Sequence, residues 1–286
     1  MAVPQSDLGY ALGLKMKNKK TSDIFRSGNK LFLSCSLLII LLIILLIISM
    51  DIHPSSAASD SSEAAAESLL NKSALNALPA GTVINTSQVK GGINTGFYSS
   101  QINKAVKKRI TGNSYKENKE IPLSDLRYIR VLYYGFDKKT HIGELIVNKS
   151  ISKDILAIFK ELYKAKYPIE KMVLIDEYDA EDEASMEDNN TSAFNYRTIA
   201  GSKTLSKHAM GLAVDINPLY NPCVEKINGK TVVAPASGKK YTDRSLANEY
   251  YIKKNDICYK AFTKRGFTWG GSWNSLKDYQ HFQKIK

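Results

Sequence analysis

SKHAMGLAVDINP, residues 206–218, is the stretch on which the fold turns. Its second half alternates. Successive side chains of a strand point to opposite faces, so Leu212, Val214 and Ile216 share one side and Ala213, Asp215 and Asn217 the other. Pro218 has no N–H to give a ladder and ends the strand. A carboxylate, Asp215, therefore stands on the non-core face of a central strand. Just ahead of it, Gly211 permits close backbone approach in a tight turn, and Ala213 leaves room beside Asp215. His208 precedes that carboxylate by seven residues. A charged group within an apolar segment is costly unless it is paired or metal-bound.

The seven-residue spacing alone would be met equally by a hydrogen-bonded His208–Asp215 pair bracing a loop. Such a brace does not account for a second cluster at the far end, Asp278 and His281 in DYQHFQ, residues 278–283. Two histidines and a carboxylate with a fourth position open to water form a donor set for catalytic zinc, although similar donors hold other divalent ions. With His281 as a ligand, Asp278 can face metal-bound water without ligating. There it could take a proton and pass it to a leaving amine; the plainer reading is a polar C-terminal strand. Arg197, in TSAFNYR (191–197), offers a guanidinium for a substrate carboxylate or a developing oxyanion, or else a clamp for the acidic loop before it. Trp269 and Trp273, around Gly270 and Gly271, suit a groove wall or a plug at the edge of the core.

Moving outward, RYIRVLYYGFD (127–137) and GELIVN (143–148) have the β-branched and aromatic content of strands, and KMVLIDEYD (171–179) reads as a third. Ile155, Ile158, Phe159, Leu162 and Tyr163 recur at helical spacing between Ser152 and Tyr167, with Ser152 as N-cap and Pro168 as stop. The acidic run AEDEASMEDNNTS (180–192) reads as a solvated loop without the calcium-loop pattern. Residues 245–264 read as a helix with Leu246, Tyr250, Ile257, Tyr259 and Phe262 on its apolar side. The Gly/aromatic segment 266–273 leads into a short final strand. Cys223 and Cys258 form one disulfide or remain two thiols.

Toward the N-terminus, Leu31 to Ile48 is almost wholly Leu and Ile, close to the roughly 20 residues of a membrane-crossing helix. Lys15, Lys17, Lys19, Lys20, Arg26 and Lys30 precede it, so the flanking charge keeps that end cytoplasmic. The expected organisation is a basic tail (1–30), a transmembrane helix (31–50), a Ser/Ala-rich flexible stalk (51–100) and a globular domain (101–286). This describes a single-pass protein of the bacterial cell membrane with its domain extracytoplasmic. A small-residue cleavage site around Ser56 to Ser59 leaves a cleaved leader as the alternative. The chain carries 40 basic and 28 acidic residues; six and two of these precede residue 50, leaving 34 and 26 and a net charge of +8 beyond it. That balance favours an anionic envelope surface, and the expected exterior location sets nucleic acid aside as a partner.

SKHAMGLAVDINP together with DYQHF resembles the D-alanyl-D-alanine carboxypeptidase and L-alanyl-D-glutamate endopeptidase family, the VanY-like zinc peptidases of bacterial walls and phage endolysins. Ser206, His208, Gly211, Ala213 and Asp215 occupy every fixed position of Ser-x-His-x-x-Gly-x-Ala-x-Asp, and a terminal Asp-x-x-His follows. NNTSAFNYR (189–197) and GFTWGG (266–271) extend the resemblance, which spans about Ile110 to Phe282. It implies a small α+β zinc peptidase domain with an antiparallel sheet carrying the ligands and flanking helices. It also implies Zn2+ held by His208, Asp215 and His281, Asp278 as the catalytic carboxylate, and Arg197 as both a catalytic and a substrate-binding residue. Ser202 and Ser206 would shape the substrate pocket, with Trp269 as a wall. Met210 stands where relatives often carry an aromatic residue. The implied activity is hydrolysis of peptidoglycan stem peptides, as a D-alanyl-D-alanine carboxypeptidase ahead of an endopeptidase, with a non-catalytic wall-binding module as a more distant alternative.

Overall fold

The computed structural model describes residues 70–199 and 201–285. These form an α+β domain with three antiparallel sheets. The first sheet is built on a long hairpin, β3 (Leu126–Tyr134) with β4 (Thr140–Asn148), edged by β1 (Val83–Ile84) beside β4 and β2 (Tyr98–Gln101) beside β3. Helix α1 is Lys72–Ala77 and α2 is Lys104–Ile110, each opened by an asparagine side chain, Asn71 or Asn103, that accepts from a backbone N–H of the first turn. Helix α3 (Ser152–Lys164) follows β4, α4 is Asp182–Glu187, and α5 is Ile257–Thr263.

The second sheet carries the site: β5 (Ala213–Asp215), β10 (His281–Gln283) and β8 (Thr268–Trp269), in the order β5-β10-β8. The third is β7 (Lys230–Ala234), β6 (Cys223–Ile227) and β9 (Leu276–Asp278), in the order β7-β6-β9. Ile129, Val131 and Tyr133 of β3 and Leu145 and Val147 of β4 face α3 and α5. Val214, Ile216, Trp269 and Phe282 close the same core from the second sheet. The alternation expected over 212–216 is therefore present, with Leu212, Val214 and Ile216 all in that core.

Several expectations are corrected. Among the described residues no helix is long and apolar enough to cross a membrane. The longest, α3, has 13 residues, about 20 Å at 1.5 Å per residue against a hydrocarbon thickness of about 30 Å, and buries only one face. The segment 31–50, on which the transmembrane helix rested, lies outside the described residues. The span, the attachment to the cytoplasmic membrane and the single-pass placement therefore drop out of the account. The tail 1–30 also lies outside the described residues. Residues 70–100, assigned to the stalk, instead supply α1, β1 and β2, anchored by Leu75, Ile84 and Val89 against Leu132 and Ile142. Those apolar residues are scattered, so no periodicity marks them.

KMVLIDEYD is not a strand. Lys171 makes one bridge to Asn190, and residues 175–178 turn as a 3-10 helix. Asp176 there accepts from the backbone N–H and hydroxyl of Ser114, which draws the chain out of the sheet. Ser152 is the first residue of α3 and not its cap; its hydroxyl donates to Lys149 O. The helix expected over 245–264 shortens to α5, because Asp256 caps it by accepting from Tyr259 N, and Leu246 is exposed. The final strand is two strands, β9 and β10, in different sheets. No disulfide joins Cys223 and Cys258, both of which are buried.

Candidate metal centre

Strands β5 and β10 pair antiparallel with Asp215 directly opposite His281. Opposed residues of a ladder project from the same face, so this register alone brings a carboxylate and an imidazole together. The other edge of β5 is held by Ser192, which exchanges backbone hydrogen bonds with Asp215. His208 arrives from the turn before β5. Ser206 Oγ accepts from His208 N, and the turn closes through Gly211 N to His208 O at 2.9 Å. Gly211 has φ +64°, and a Cβ there would lie 2.6 Å from Asn148 N at the end of β4. The glycine thus permits both the left-handed turn and the seating of the His208 segment on the first sheet.

The three donors converge. His208 Nε2 lies 3.2 Å from Asp215 Oδ2 and 3.2 Å from His281 Nδ1, and His281 Nδ1 lies 3.0 Å from Asp215 Oδ1. Ligands about 2.0–2.1 Å from a tetrahedral zinc stand roughly 3.3 Å apart, so the spacing fits one ion among them. Both ring orientations are fixed from behind. His208 Nδ1 donates to Ala193 O at 2.5 Å, leaving Nε2 for the cluster. His281 Nε2 donates to Gln283 Oε1 at 3.1 Å, leaving Nδ1. Such partners on the far ring nitrogen set the tautomer of metal-bound histidines.

Both histidines are buried and Asp215 is partly open, at 14% of its side chain. Burial by itself would raise the Asp215 carboxyl, but His208 and His281 hold it well below the usual carboxylate range. Burial pushes His208 down, and Asp215 beside it more than reverses that, so its net shift is upward, with the Arg197 charge opposing. A divalent cation satisfies the same carboxylate in place of those protons.

Arg197 is close enough for its charge to act on His208. Its side chain is 10% exposed and its Nε is paired with Asp182 of α4, so the guanidinium does clamp the acidic segment. Asp182 is itself fixed by Asn195 Nδ2 at 3.0 Å. Asp278 is buried at the end of β9, opposite Cys223, one corner of two residues before His281. Gly270 packs on it so closely that a Cβ would stand 2.5 Å from Asp278 O. Ser206 braces the His208 turn. Ser202 holds its own loop, its Oγ accepting from Thr204 N. Trp269 is a core residue, packed near Tyr259 and Phe282 with its indole N–H donating to Tyr279 O. Trp273 is the tryptophan beside the cluster, its ring 5.4 Å from that of His281. The outer partners Gln283, Ala193 and Asp182 escaped the sequence reading. Gln283 alone carried a signal, since a side chain two residues from His281 on one strand shares its face.

This arrangement defines a candidate site for one metal ion on an α+β frame. Residues 200–284 match the family described as D-alanyl-D-alanine carboxypeptidase, and His208, Asp215 and His281 all fall within that stretch. The region is a peptidase domain of the zinc-peptidase kind, and the protein is accordingly an enzyme. No curated protein matches the chain, and no solved structure does.

Proposed function

We propose that the protein is a zinc metallopeptidase that hydrolyses peptidoglycan stem peptides, releasing the terminal residue of a D-alanyl-D-alanine end. The observation that carries this is the convergence of three donors from β5, β10 and the preceding turn within 3.2 Å of one another, inside a stretch matching the D-alanyl-D-alanine carboxypeptidase family.

His208, Asp215 and His281 would hold the ion. When bound, zinc supplies Lewis-acid polarisation of the scissile carbonyl and acidifies a water. The carboxylate of Asp278 accepts the proton of the attacking water and returns it to the leaving amine. Arg197, oriented by Asp182, offsets negative charge on the substrate, either its terminal carboxylate or the developing oxyanion. Ser206 keeps His208 in place, Ser202 contributes to a pocket wall from its loop, and Trp273, beside His281, takes the wall position that the buried Trp269 does not fill.

The test is to incubate the full chain with a pentapeptide ending in D-Ala-D-Ala and with intact muropeptides, and to read the products by mass spectrometry. Release of one D-Ala that disappears with a chelator and returns with zinc is the expected result. Internal cleavage would move the activity to an endopeptidase. No cleavage by zinc-loaded protein would leave a wall-binding module.

A further inference from the structure

A second site lies on the first sheet, outside the stretch that matches the peptidase family. The face of β3 and β4 turned away from α3 carries two apolar patches: Leu126, Tyr128 and Ile146 pack with Val106 and Ile110, and Leu132 and Ile142 pack with Leu75 and Ile84. Between them runs a polar row, Tyr98, Arg130 and Glu144, aligned across β2, β3 and β4. Over this row is a cavity of about 660 Å³, roofed by residues 76–80 and lined also by Ser100, Asn103, Ala105 and Arg109. That size is within the range of small-molecule sites.

Two guanidiniums, Arg109 and Arg130, and two carboxylates, Glu144 and Glu177, line it, but only Glu144 of the two acids is buried. Arg109 donates to both oxygens of Glu144, at 2.6 and 2.9 Å, and Tyr128 Oη donates to Oε2 at 2.5 Å. Glu144 is thus occupied. Arg130, only 4% exposed, faces it at 3.9 Å. Among the described residues its other partners are uncharged: Tyr128 Oη at 3.3 Å, Leu78 O at 2.6 Å and Leu75 O at 3.4 Å. Two guanidiniums therefore share one buried carboxylate. Glu177, the other acid on Arg109, is more than half exposed at the rim. Burying a guanidinium in this way is costly unless an anion compensates, and its planar fork matches a carboxylate. A dianionic phosphate would meet Glu144 and Glu177 at close range, which favours a single negative charge.

We propose that this cavity binds a small molecule bearing one carboxylate, held by Arg130, with its uncharged polar part against Ser100, Asn103 and Asn76. The proposal is independent of the metal centre.

It is tested by isothermal titration calorimetry of the full chain with N-acetyl-alanine, which has one carboxylate and one amide, and with its uncharged methylamide. Two variants narrow or charge the mouth at an exposed helical position, Ala105→Trp and Ala105→Asp, and their melting curves verify folding. The acid should bind one site, with the methylamide and both variants weaker by about tenfold or more, the loss expected when a charge-assisted contact goes. No binding by the acid would overturn the proposal. So would equal binding of acid and methylamide, or undiminished binding in both folded variants, which would place the ligand elsewhere.

Discussion

His281 presents Nδ1 to the cluster because Gln283 accepts from its Nε2. Replacing that acceptor by an apolar side chain, Gln283→Leu, should weaken zinc binding by about 10–100-fold, while Gln283→Glu, which still accepts, should not; competition against a chromogenic chelator measures both. Asp278 is assigned proton transfer and not ligation. Asp278→Asn should therefore retain zinc and lower kcat by about 10²–10⁴-fold, read by D-Ala release alongside metal content. His208, Asp215 and His281 were legible as a set because each sits in a tight motif. Arg197 was legible only as a choice between roles, since the carboxylate it meets, Asp182, lies in an acidic run where no spacing distinguishes one acid from its neighbours.

At the scale of elements, the decisive feature is the register that sets Asp215 against His281. It depends on how the turn before β5 seats on β4. Gly211→Ala places a Cβ at φ +64° and 2.6 Å from Asn148 N. The expected loss of stability is about 1–3 kcal/mol, seen as a lower Tm, with zinc affinity falling as the His208 turn shifts. Alternation over residues 212–216 and the helical period of α3 could be read directly, because each encodes one buried face. The third sheet could not. β6 and β7 are only half buried and carry Glu225, Lys226 and Lys230, so they lack an apolar alternation. The split of the C-terminal segment between two sheets is likewise a tertiary outcome, set by the corner at Tyr279 and Gln280.

Across the whole molecule, the polar row of the first sheet gives stability an acid limit. Burial pushes the Glu144 carboxyl up, but hydrogen bonds from Arg109 and Tyr128 outweigh it and hold the group below its ordinary value. A carboxyl lowered on folding contributes stability that is fully present above its unfolded pKa and lost as pH falls through the folded one. Chemical denaturation of the native protein should therefore show stability declining below about pH 4.5. Glu144→Gln should be less stable at neutral pH by about 2–4 kcal/mol, since two guanidiniums lose their anion, and should show a shallower acid decline. The N-terminal extent of the domain is hidden in the sequence for a related reason. Isolated apolar residues such as Leu75 and Val89 acquire meaning only once the sheet they cover exists.

The claim on which the rest depends is that His208, Asp215 and His281 form one metal centre. Its most direct test is zinc content by inductively coupled plasma mass spectrometry after exhaustive dialysis of the full chain, of His208→Ala, Asp215→Ala and His281→Ala, and of Asp278→Asn. One zinc per chain in the native protein and in Asp278→Asn, with almost none in the other three, is the predicted result. A native protein that retains no zinc, or zinc that persists after Asp215→Ala and His281→Ala, would contradict it.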